Sequence, residues 1–200
     1  THPFVTAYDN TIYGSTVTGS SSIVPLSYDS GWVSGSGIDY EYQIRAFDID
    51  DTDGTNVAFY WDGDSWVLMT SPLADPNTIT TFDTGITATC SAGSSKFNAY
   101  DGFAYMPLRE DCDSSSSKFY RFNLSDGSSE MVKDGVIETI ERGGNIYYSA
   151  SDYSGIYQLA GGGDPDYQKV GGEIVSFDID PTSNMIFYYQ HGNIYYQTLE

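Results

Sequence analysis

The sequence predicts an all-β protein in which one sheet-forming pattern recurs along the chain. Helical periodicity is nearly absent, and short runs rich in Tyr, Phe, Val, Ile and Thr are bounded by Gly, Asp, Asn and Ser. Aromatic residues make up 16% of the 200 residues, which is enough to build a core despite a formal net charge of −20. A phrase also repeats, because "FDIDDTDGTNVAFYW" from residue 47 returns as "FDIDPTSNMIFYYQ" from residue 177.

Five segments fit the template that this repeated phrase suggests, a series of short strands with turns and a Gly-rich exit. They cover residues 4–37, 38–85, 86–135, 136–172 and 173–200. Their lengths bracket the ~40–45 residues of a propeller blade, and four short antiparallel strands make one blade. The sequence therefore predicts one domain over 1–200, a five-bladed β-propeller, with a β-sandwich or a non-repeating barrel as the alternative.

Two segments need separate interpretation. Residues 128–144 have a helix-like start, but Gly135 interrupts them and the alternation after it predicts a strand. The last segment is one strand short, and an open sheet edge invites other chains. Either the N-terminal strand within residues 1–8 completes the last blade and gives a closed monomer, or a partner molecule completes it and gives an assembly.

Composition limits the partners and the compartment. The 8 Lys and Arg against 28 Asp and Glu exclude nucleic acid as the main partner, and no stretch has the ~20 apolar residues of a membrane span. Cys90 and Cys112 are the only cysteines, and without CxxC spacing or a nearby His they favour a disulfide over zinc. Asn123-Leu124-Ser125 is a glycosylation sequon, and "THPFVTAY" is a start typical of processed chains. We therefore expect a secreted glycoprotein.

The acidic turn at 50–53 is the main candidate for a metal site. A calcium loop of the EF-hand type needs ligands where this sequence has Ile49 and Tyr60, so a solvated turn is favoured and no metal or cofactor is predicted. Acids on the inner strands, such as Asp48 and Glu138, could form the carboxylate pair of a glycosidase. With 28 acids in the chain, such a placement is expected by chance.

The stretch "IRAFDIDDTDGTNVAFYWDGDSW" at 44–66 resembles a blade of the fungal fucose-binding lectin family. Blades of that family carry a strand beginning Ile-Arg, a D-x-D-G turn and a W-D-G-x-x-W close. The resemblance implies a sugar pocket in which an Arg and a Glu form hydrogen bonds beside an aromatic wall. Arg45 and Trp66 match the Arg and the aromatic residue, whereas the Glu position falls at Ala58 or Phe59.

These observations predict a protein that works by binding rather than by catalysis. Trp32, Trp66 and Tyr153 lie near predicted turns, where a sugar ring could stack on them, and Arg45 would add hydrogen bonds. The expected ligand is a carbohydrate or glycoconjugate. The two alternatives are a self-associating extracellular subunit that forms filaments or a surface coat by strand pairing, and a glycoside hydrolase.

Overall fold

The computed structural model describes residues 5–9, 11–18, 20–28, 32–34, 38–40, 44–75, 77–87, 90–91, 97–109, 111, 113, 117–142, 144–160, 166–180 and 182–199. These residues form twenty β-strands and no helix. Within them, therefore, no helix has the length and apolar character needed to cross a membrane.

The strands form four antiparallel sheets. The first sheet has the order β1-β2-β3-β4 with β5 also on β3, and contains β1 (Val5–Tyr8), β2 (Thr11–Thr18), β3 (Ser20–Tyr28), β4 (Trp32–Ser34) and β5 (Ile38–Tyr40). The second sheet is a four-stranded meander of β6 (Ile44–Asp50), β7 (Thr55–Trp61), β8 (Trp66–Pro72) and β9 (Thr80–Asp83).

The third sheet has the order β10-β12-β13-β14-β15-β16-β17, with β11 also on β12. It contains β10 (Cys90–Ser91), β11 (Asn98–Tyr100), β12 (Phe103–Arg109), β13 (Ser117–Asn123), β14 (Ser129–Arg142), β15 (Asn145–Ala150), β16 (Gly155–Gln158) and β17 (Tyr167–Gly171). The fourth sheet is the meander β18 (Ser176–Asp180), β19 (Met185–Gln190) and β20 (Asn193–Thr198).

The chain divides into two compact units. The N-terminal unit comprises Thr1–Ala88, Phe97–Ala104 and Phe122–Glu130, and the C-terminal unit comprises Thr89–Lys96, Tyr105–Arg121 and Met131–Glu200. Each unit has its own buried apolar cluster. In the N-terminal unit the cluster contains Ile23, Ile44, Phe47, Ala58, Tyr60, Val67 and Met69. In the C-terminal unit the larger cluster contains Ile140, Tyr147, Ile156, Val170, Ile174, Phe177, Ile179, Ile186 and Leu199.

Acidic side chains at the end of β6 fasten it to β11 within the N-terminal unit. Asp48 Oδ2 accepts a hydrogen bond from Ala99 N at 3.0 Å. The carboxylate of Asp50 is fully buried and accepts hydrogen bonds from Asp101 N at 3.1 Å and Gly102 N at 2.7 Å. Buried carboxylates need such donors, since an unpaired charge in the interior is costly. The acids of the repeated phrase therefore have a structural role here.

The C-terminal unit joins two strands in a similar way. The second half of β14 pairs with β15, and its buried Glu138 projects toward β18. Glu138 Oε2 accepts hydrogen bonds from Phe177 N at 3.2 Å and from Ser176 Oγ at 3.1 Å. In both units, then, a carboxylate on a strand of one sheet accepts a hydrogen bond from a backbone N–H on a strand of the next sheet.

The prediction of an all-β fold built from short strands in antiparallel sheets is confirmed, and the second sheet is a four-stranded meander, as predicted for a blade. The two copies of the repeated phrase begin equivalent hairpins, since Phe47 pairs with Ala58 between β6 and β7, and Phe177 pairs with Tyr188 between β18 and β19. Residues 128–144 hold the single long strand β14, within which Gly135 has a φ of 73°. The count of five blades and their limits stay predictions.

Neither the expected closure of the last blade by the N-terminal strand nor the expected disulfide is seen among the described residues. The strand β1 pairs with β2 in the first sheet, and the structure does not show a closed sheet in which the N-terminal strand completes the last meander. Among the described strands, β20 has β19 as its one sheet neighbour. Cys90 begins β10, but Cys112 lies outside the described residues, so the disulfide stays a prediction.

Candidate functional site

The residues predicted to bind a ligand lie in different environments. Arg45 is exposed in β6, and Tyr153 is 45% exposed in the turn between β15 and β16. Trp66 is only 2% exposed and packs edge-on against Trp61 with ring centroids 5.8 Å apart. The indole face of Trp66 is thus interior rather than open to a sugar. The side chain of Trp32 lies outside what the structure describes.

The site with the richest chemistry is a cavity in the C-terminal unit, which we call the tyrosine pocket. Its volume is about 500 Å³. Strands β14, β15 and β16 and the turn at 151–154 supply most of its wall, and one residue before β17 closes it. The lining residues are Lys133, Asp134, Gly135, Tyr148, Ala150, Ser151, Asp152, Ser154, Tyr157 and Asp166.

Two stacked tyrosines form the aromatic wall of the tyrosine pocket. Tyr148 on β15 and Tyr157 on β16 are direct cross-strand partners, so both rings stand on the same face of the sheet. The ring centroids are 5.5 Å apart and the rings are nearly parallel, at 18°. Tyr148 is buried and Tyr157 is half-buried, so the inner ring supports the outer one. The Lys133 ammonium lies 5.6 Å from the centroid of the Tyr148 ring.

Asp166 anchors the polar side of the pocket. Its Oδ2 accepts hydrogen bonds from Lys133 Nζ at 2.7 Å and from Tyr148 OH at 2.6 Å, and its Oδ1 accepts one from Ala160 N at 3.0 Å. Burial acts to raise the pKa of Asp166, but the hydrogen bonds from Lys133, Tyr148 and Ala160 outweigh it and lower that pKa. At neutral pH the carboxylate is therefore charged.

The pKa of Tyr148 is raised, whereas that of Asp166 is lowered. Burial raises its pKa well above the usual value, and its hydrogen bond to Asp166 and the charge of that carboxylate add to the rise. The Tyr148 hydroxyl therefore keeps its proton and donates to Asp166 across the physiological range. Three donors fix one carboxylate, which holds the wall of the pocket in a single arrangement.

The turn after β15 presents further hydrogen-bonding groups at the pocket. Ser154 N donates to Asp152 Oδ1 at 2.9 Å, and the Ser154 and Tyr157 hydroxyls lie 2.9 Å apart. Hydrogen bonds from the Ser154 hydroxyl and backbone lower the pKa of Asp152. Tyr153 adopts a φ of 59°, which is uncommon outside glycine, between these two lining residues. Tyr153, which the sequence predicts to bind a ligand, is therefore flanked in sequence by two residues that line the pocket.

The charge of the tyrosine pocket limits the kinds of ligand that it can bind. The lining holds one lysine and three aspartates, so its formal charge is +1 − 3, or −2. A carboxylated or phosphorylated ligand would be repelled, whereas a neutral or cationic ligand would not. An aromatic face beside hydroxyl and carboxylate acceptors is suited to a polyhydroxylated ring.

A second cavity of about 500 Å³ lies in the N-terminal unit. Its lining includes Thr55 and Thr70 from the second sheet, Asp53 from the turn between β6 and β7, and Asn123 from the sequon. The amide oxygen of Asn123 accepts hydrogen bonds from Ser125 N at 2.9 Å and from Ser125 Oγ at 2.7 Å. The sequon therefore begins at the last residue of β13 and continues into the following turn, and glycosylation at Asn123 stays a prediction.

The acidic turn at 50–53 has local partners within its own hairpin. Asp50 Oδ1 accepts a hydrogen bond from Thr52 N at 2.9 Å, and Asp53 Oδ1 accepts one from Thr55 N at 2.8 Å. Across the part of the chain that the structure describes, no group of three or more His, Cys, Asp or Glu side chains could hold a metal ion. The turn is accounted for by these hydrogen bonds.

Sequence comparisons find no protein family and no curated protein that match this chain. The resemblance to the fungal fucose-binding lectins therefore stays a prediction. Solved structures that are similar in shape include an α-L-arabinofuranosidase from Clostridium thermocellum (12% identity, 85% of this chain and 73% of that chain, TM-score 0.45). They also include the WD40 β-propeller domain of Doa1 (10%, 96% and 79%, 0.44) and an apocarotenoid oxygenase from Synechocystis (10%, 94% and 56%, 0.46). At these TM-scores the similarities carry no argument about function.

Proposed function

We propose that this protein is a secreted, non-catalytic binding protein whose tyrosine pocket takes a sugar ring of a carbohydrate or glycoconjugate. The observation that carries the proposal is the Tyr148–Tyr157 stack facing a cavity that also holds Asp152, Ser154 and Lys133. A stacked aromatic face binds the apolar face of a sugar at small entropic cost, and the surrounding polar groups fix its orientation. The pre-formed hydrogen bonds on Asp166 reduce the cost of ordering on binding.

The electrostatics of the pocket favour binding over hydrolysis. A glycosidase needs a carboxylic acid with a raised pKa to protonate the leaving group. Hydrogen bonds lower the pKa of Asp152, and the same holds for Asp166, where they outweigh the opposing effect of burial. Both groups are therefore suited to accept hydrogen bonds from ligand hydroxyls or an ammonium group, and neither is suited to act as a general acid at neutral pH.

The charge of the pocket predicts which classes of sugar it binds. With a formal charge of −2 in the lining, we expect neutral sugars and amino sugars to bind and uronic acids to be rejected. The test is isothermal titration with matched short oligosaccharides of N-acetylglucosamine, glucosamine and glucuronate. Binding of either of the first two with no binding of the third supports the proposal. A preference for the acidic sugar, or no binding in a broad glycan array, contradicts it.

A matched pair of variants locates the binding. Tyr157→Ala removes the half-buried ring that faces the pocket, and we expect at least about tenfold weaker binding, or roughly 1.4 kcal/mol. Tyr196→Ala removes an exposed ring from the fourth sheet, and the affinity for a monovalent sugar should not change. Equal loss in both variants would place the sugar outside the tyrosine pocket.

Secretion is part of the proposal and has a separate test. The acidic, Ser- and Tyr-rich composition, the cysteine pair and the sequon support it. Expression through a eukaryotic secretory route should give a glycan at Asn123, seen as a mass loss on enzymatic deglycosylation that Asn123→Gln abolishes. A secreted product of unmodified mass would remove the glycoprotein assignment.

A further inference from the structure

Hydrogen bonds around the outer ring of the tyrosine pocket run in one direction. The side-chain nitrogen of Gln168 donates to the Ser154 carbonyl at 3.1 Å and to the Tyr157 hydroxyl at 3.2 Å. A backbone carbonyl can only accept, so the amide nitrogen of Gln168 is the atom that faces both groups. The Tyr157 oxygen therefore accepts from Gln168, and its own hydrogen is directed to Ser154 Oγ, 2.9 Å away.

The other end of this series is the carboxylate of Asp152. Hydrogen bonds from the Ser154 hydroxyl and from the Ser154 backbone lower the pKa of Asp152, so the group is charged at neutral pH. A carboxylate can only accept, and the single hydroxyl hydrogen of Ser154 therefore points to Asp152. Both ends require the same direction, from Gln168 through Tyr157 and Ser154 to Asp152. We call these four residues the hydrogen-bond chain.

The hydrogen-bond chain determines what the pocket offers to a ligand. The hydroxyl hydrogens of Tyr157 and Ser154 lie within the chain. The hydroxyl hydrogen of Tyr148 is donated to Asp166 at 2.6 Å. Towards a ligand, therefore, these three hydroxyl groups present lone pairs and no hydrogen. A ligand group that donates is satisfied there, whereas a carbonyl oxygen would face lone pairs and lose the hydrogen bonds it had with water.

Asp152 is also the carboxylate through which the pocket can attract a positive charge. Lys133 and Asp166 neutralise each other in an ion pair of 2.7 Å. Lys133 extends over the Tyr148 ring, so Asp134, the next residue of β14, alternates to the opposite side of the strand. Asp152 is exposed in the turn after β15. Burial and the hydrogen bond to Asp166 are the main causes of the raised pKa of Tyr148, and the charge of Asp152 adds to them, which places that charge within electrostatic reach of the rings.

We propose, on the basis of the sugar site proposed above, that the tyrosine pocket selects the ammonium group of an amino sugar and that Asp152 determines this selectivity. An ammonium group carries three hydrogens and no acceptor. It can donate to the Asp152 carboxylate and to the lone pairs of Ser154 and Tyr157 while the sugar ring stacks on Tyr157. An N-acetyl group in its place has one N–H, no charge and a carbonyl oxygen. N-acetylated and neutral sugars therefore bind more weakly than amino sugars.

Isothermal titration with matched oligosaccharides of glucosamine and N-acetylglucosamine tests the proposal at about pH 5.5, where Asp152 is charged and the sugar amine is protonated. Because a hydrogen bond between charged groups is stronger than a neutral one, we expect glucosamine to bind at least about tenfold more tightly. Asp152→Asn keeps the shape of the side chain but turns one acceptor into a donor, and the preference should fall below about threefold. The matched control, Glu173→Gln, removes an exposed charge outside the pocket lining and should leave the preference unchanged.

Three outcomes would overturn the inference and leave sugar binding in place. The first is N-acetylglucosamine binding as tightly as glucosamine. The second is an equal fall of the preference in Asp152→Asn and Glu173→Gln, since the cause would then be charge at a distance. The third is a preference that Asp134→Asn abolishes and Asp152→Asn retains. Because the preference is a ratio of two affinities of one variant, partial loss of folded protein does not change it. Failure of both sugars to bind is a different result, which removes the proposed function and this inference with it.

Discussion

The hydroxyl of Tyr148 offers a sharp test of how the tyrosine pocket is held together. Tyr148→Phe removes one hydrogen bond of 2.6 Å to Asp166 Oδ2 and leaves the ring stack on Tyr157 in place. A hydrogen bond to a charged group contributes about 1.5–3 kcal/mol. Because Lys133 and Ala160 still donate to Asp166, we expect the low end, about 1.5–2 kcal/mol of lost stability. Tyr153→Phe is the control, since this exposed ring should change stability by less than about 0.5 kcal/mol.

The same variant has a defined pH dependence. The folded-state pKa of Asp166 is below its unfolded value of about 3.9, so the stabilisation is fully present above that value and is lost as the pH falls through the lowered pKa. Urea unfolding followed by far-UV circular dichroism should therefore show a constant difference from pH 7 to about pH 5, and a difference that begins to shrink only below about pH 4. A difference that matches the Tyr153→Phe control, or one that persists unchanged into acid, would refute this reasoning.

Two further substitutions test the backbone of the N-terminal unit. In Asp50→Asn an amide group replaces the buried carboxylate that accepts hydrogen bonds from backbone N–H groups, and the protein should lose about 2–4 kcal/mol of stability. Asp53→Asn, at the exposed end of the turn, should cost less than about 0.5 kcal/mol. Gly127→Ala would drive a Cβ into the Phe82 side chain at a φ of 72°, and should cost at least about 2 kcal/mol. Gly85→Ala at a φ of 65° meets open space and should cost only about 1 kcal/mol. Denaturant midpoints measure both pairs, and equal losses within either pair would contradict the contacts described.

Much of the sheet structure could be predicted because strand formation is encoded locally. The alternation and turn residues around β6 and β7 predicted a hairpin, and the repeated phrase predicted its counterpart in β18 and β19. The side-chain period of two and the turn chemistry act over a few residues, so they can be interpreted without knowing the neighbouring strands. The same local signals singled out Gly135, which has a φ of 73°, but the strand β14 continues through it from Ser129 to Arg142.

The burial of Trp66 could not be predicted from such signals. Its strand, β8, is buried on both sides from Trp66 to Ser71, so a rule that assigns one side to solvent fails there. Which strands are covered on both sides depends on the packing of whole sheets, which is not local information. A tryptophan beside a turn therefore suggested a surface residue when it was part of the interior.

The tyrosine pocket also escaped prediction because its members are distant in sequence. Lys133 and Asp166 are separated by 33 residues and meet only after β14 to β17 have paired in register. Register determines which side chains share a face, and no periodicity in the sequence specifies it between distant strands.

The most direct test of the central claim is to follow the tyrosine rings by NMR while an N-acetylglucosamine oligosaccharide is added. With ring-labelled tyrosine and assignments from Tyr→Phe variants, the account predicts the largest shifts at Tyr157 and Tyr153, with smaller shifts at the buried Tyr148. Tyr189 and Tyr196 should not move at a fixed protein concentration. Shifts concentrated on those two tyrosines, or no shift at Tyr157 under saturating sugar, would contradict the assignment of the tyrosine pocket as the binding site.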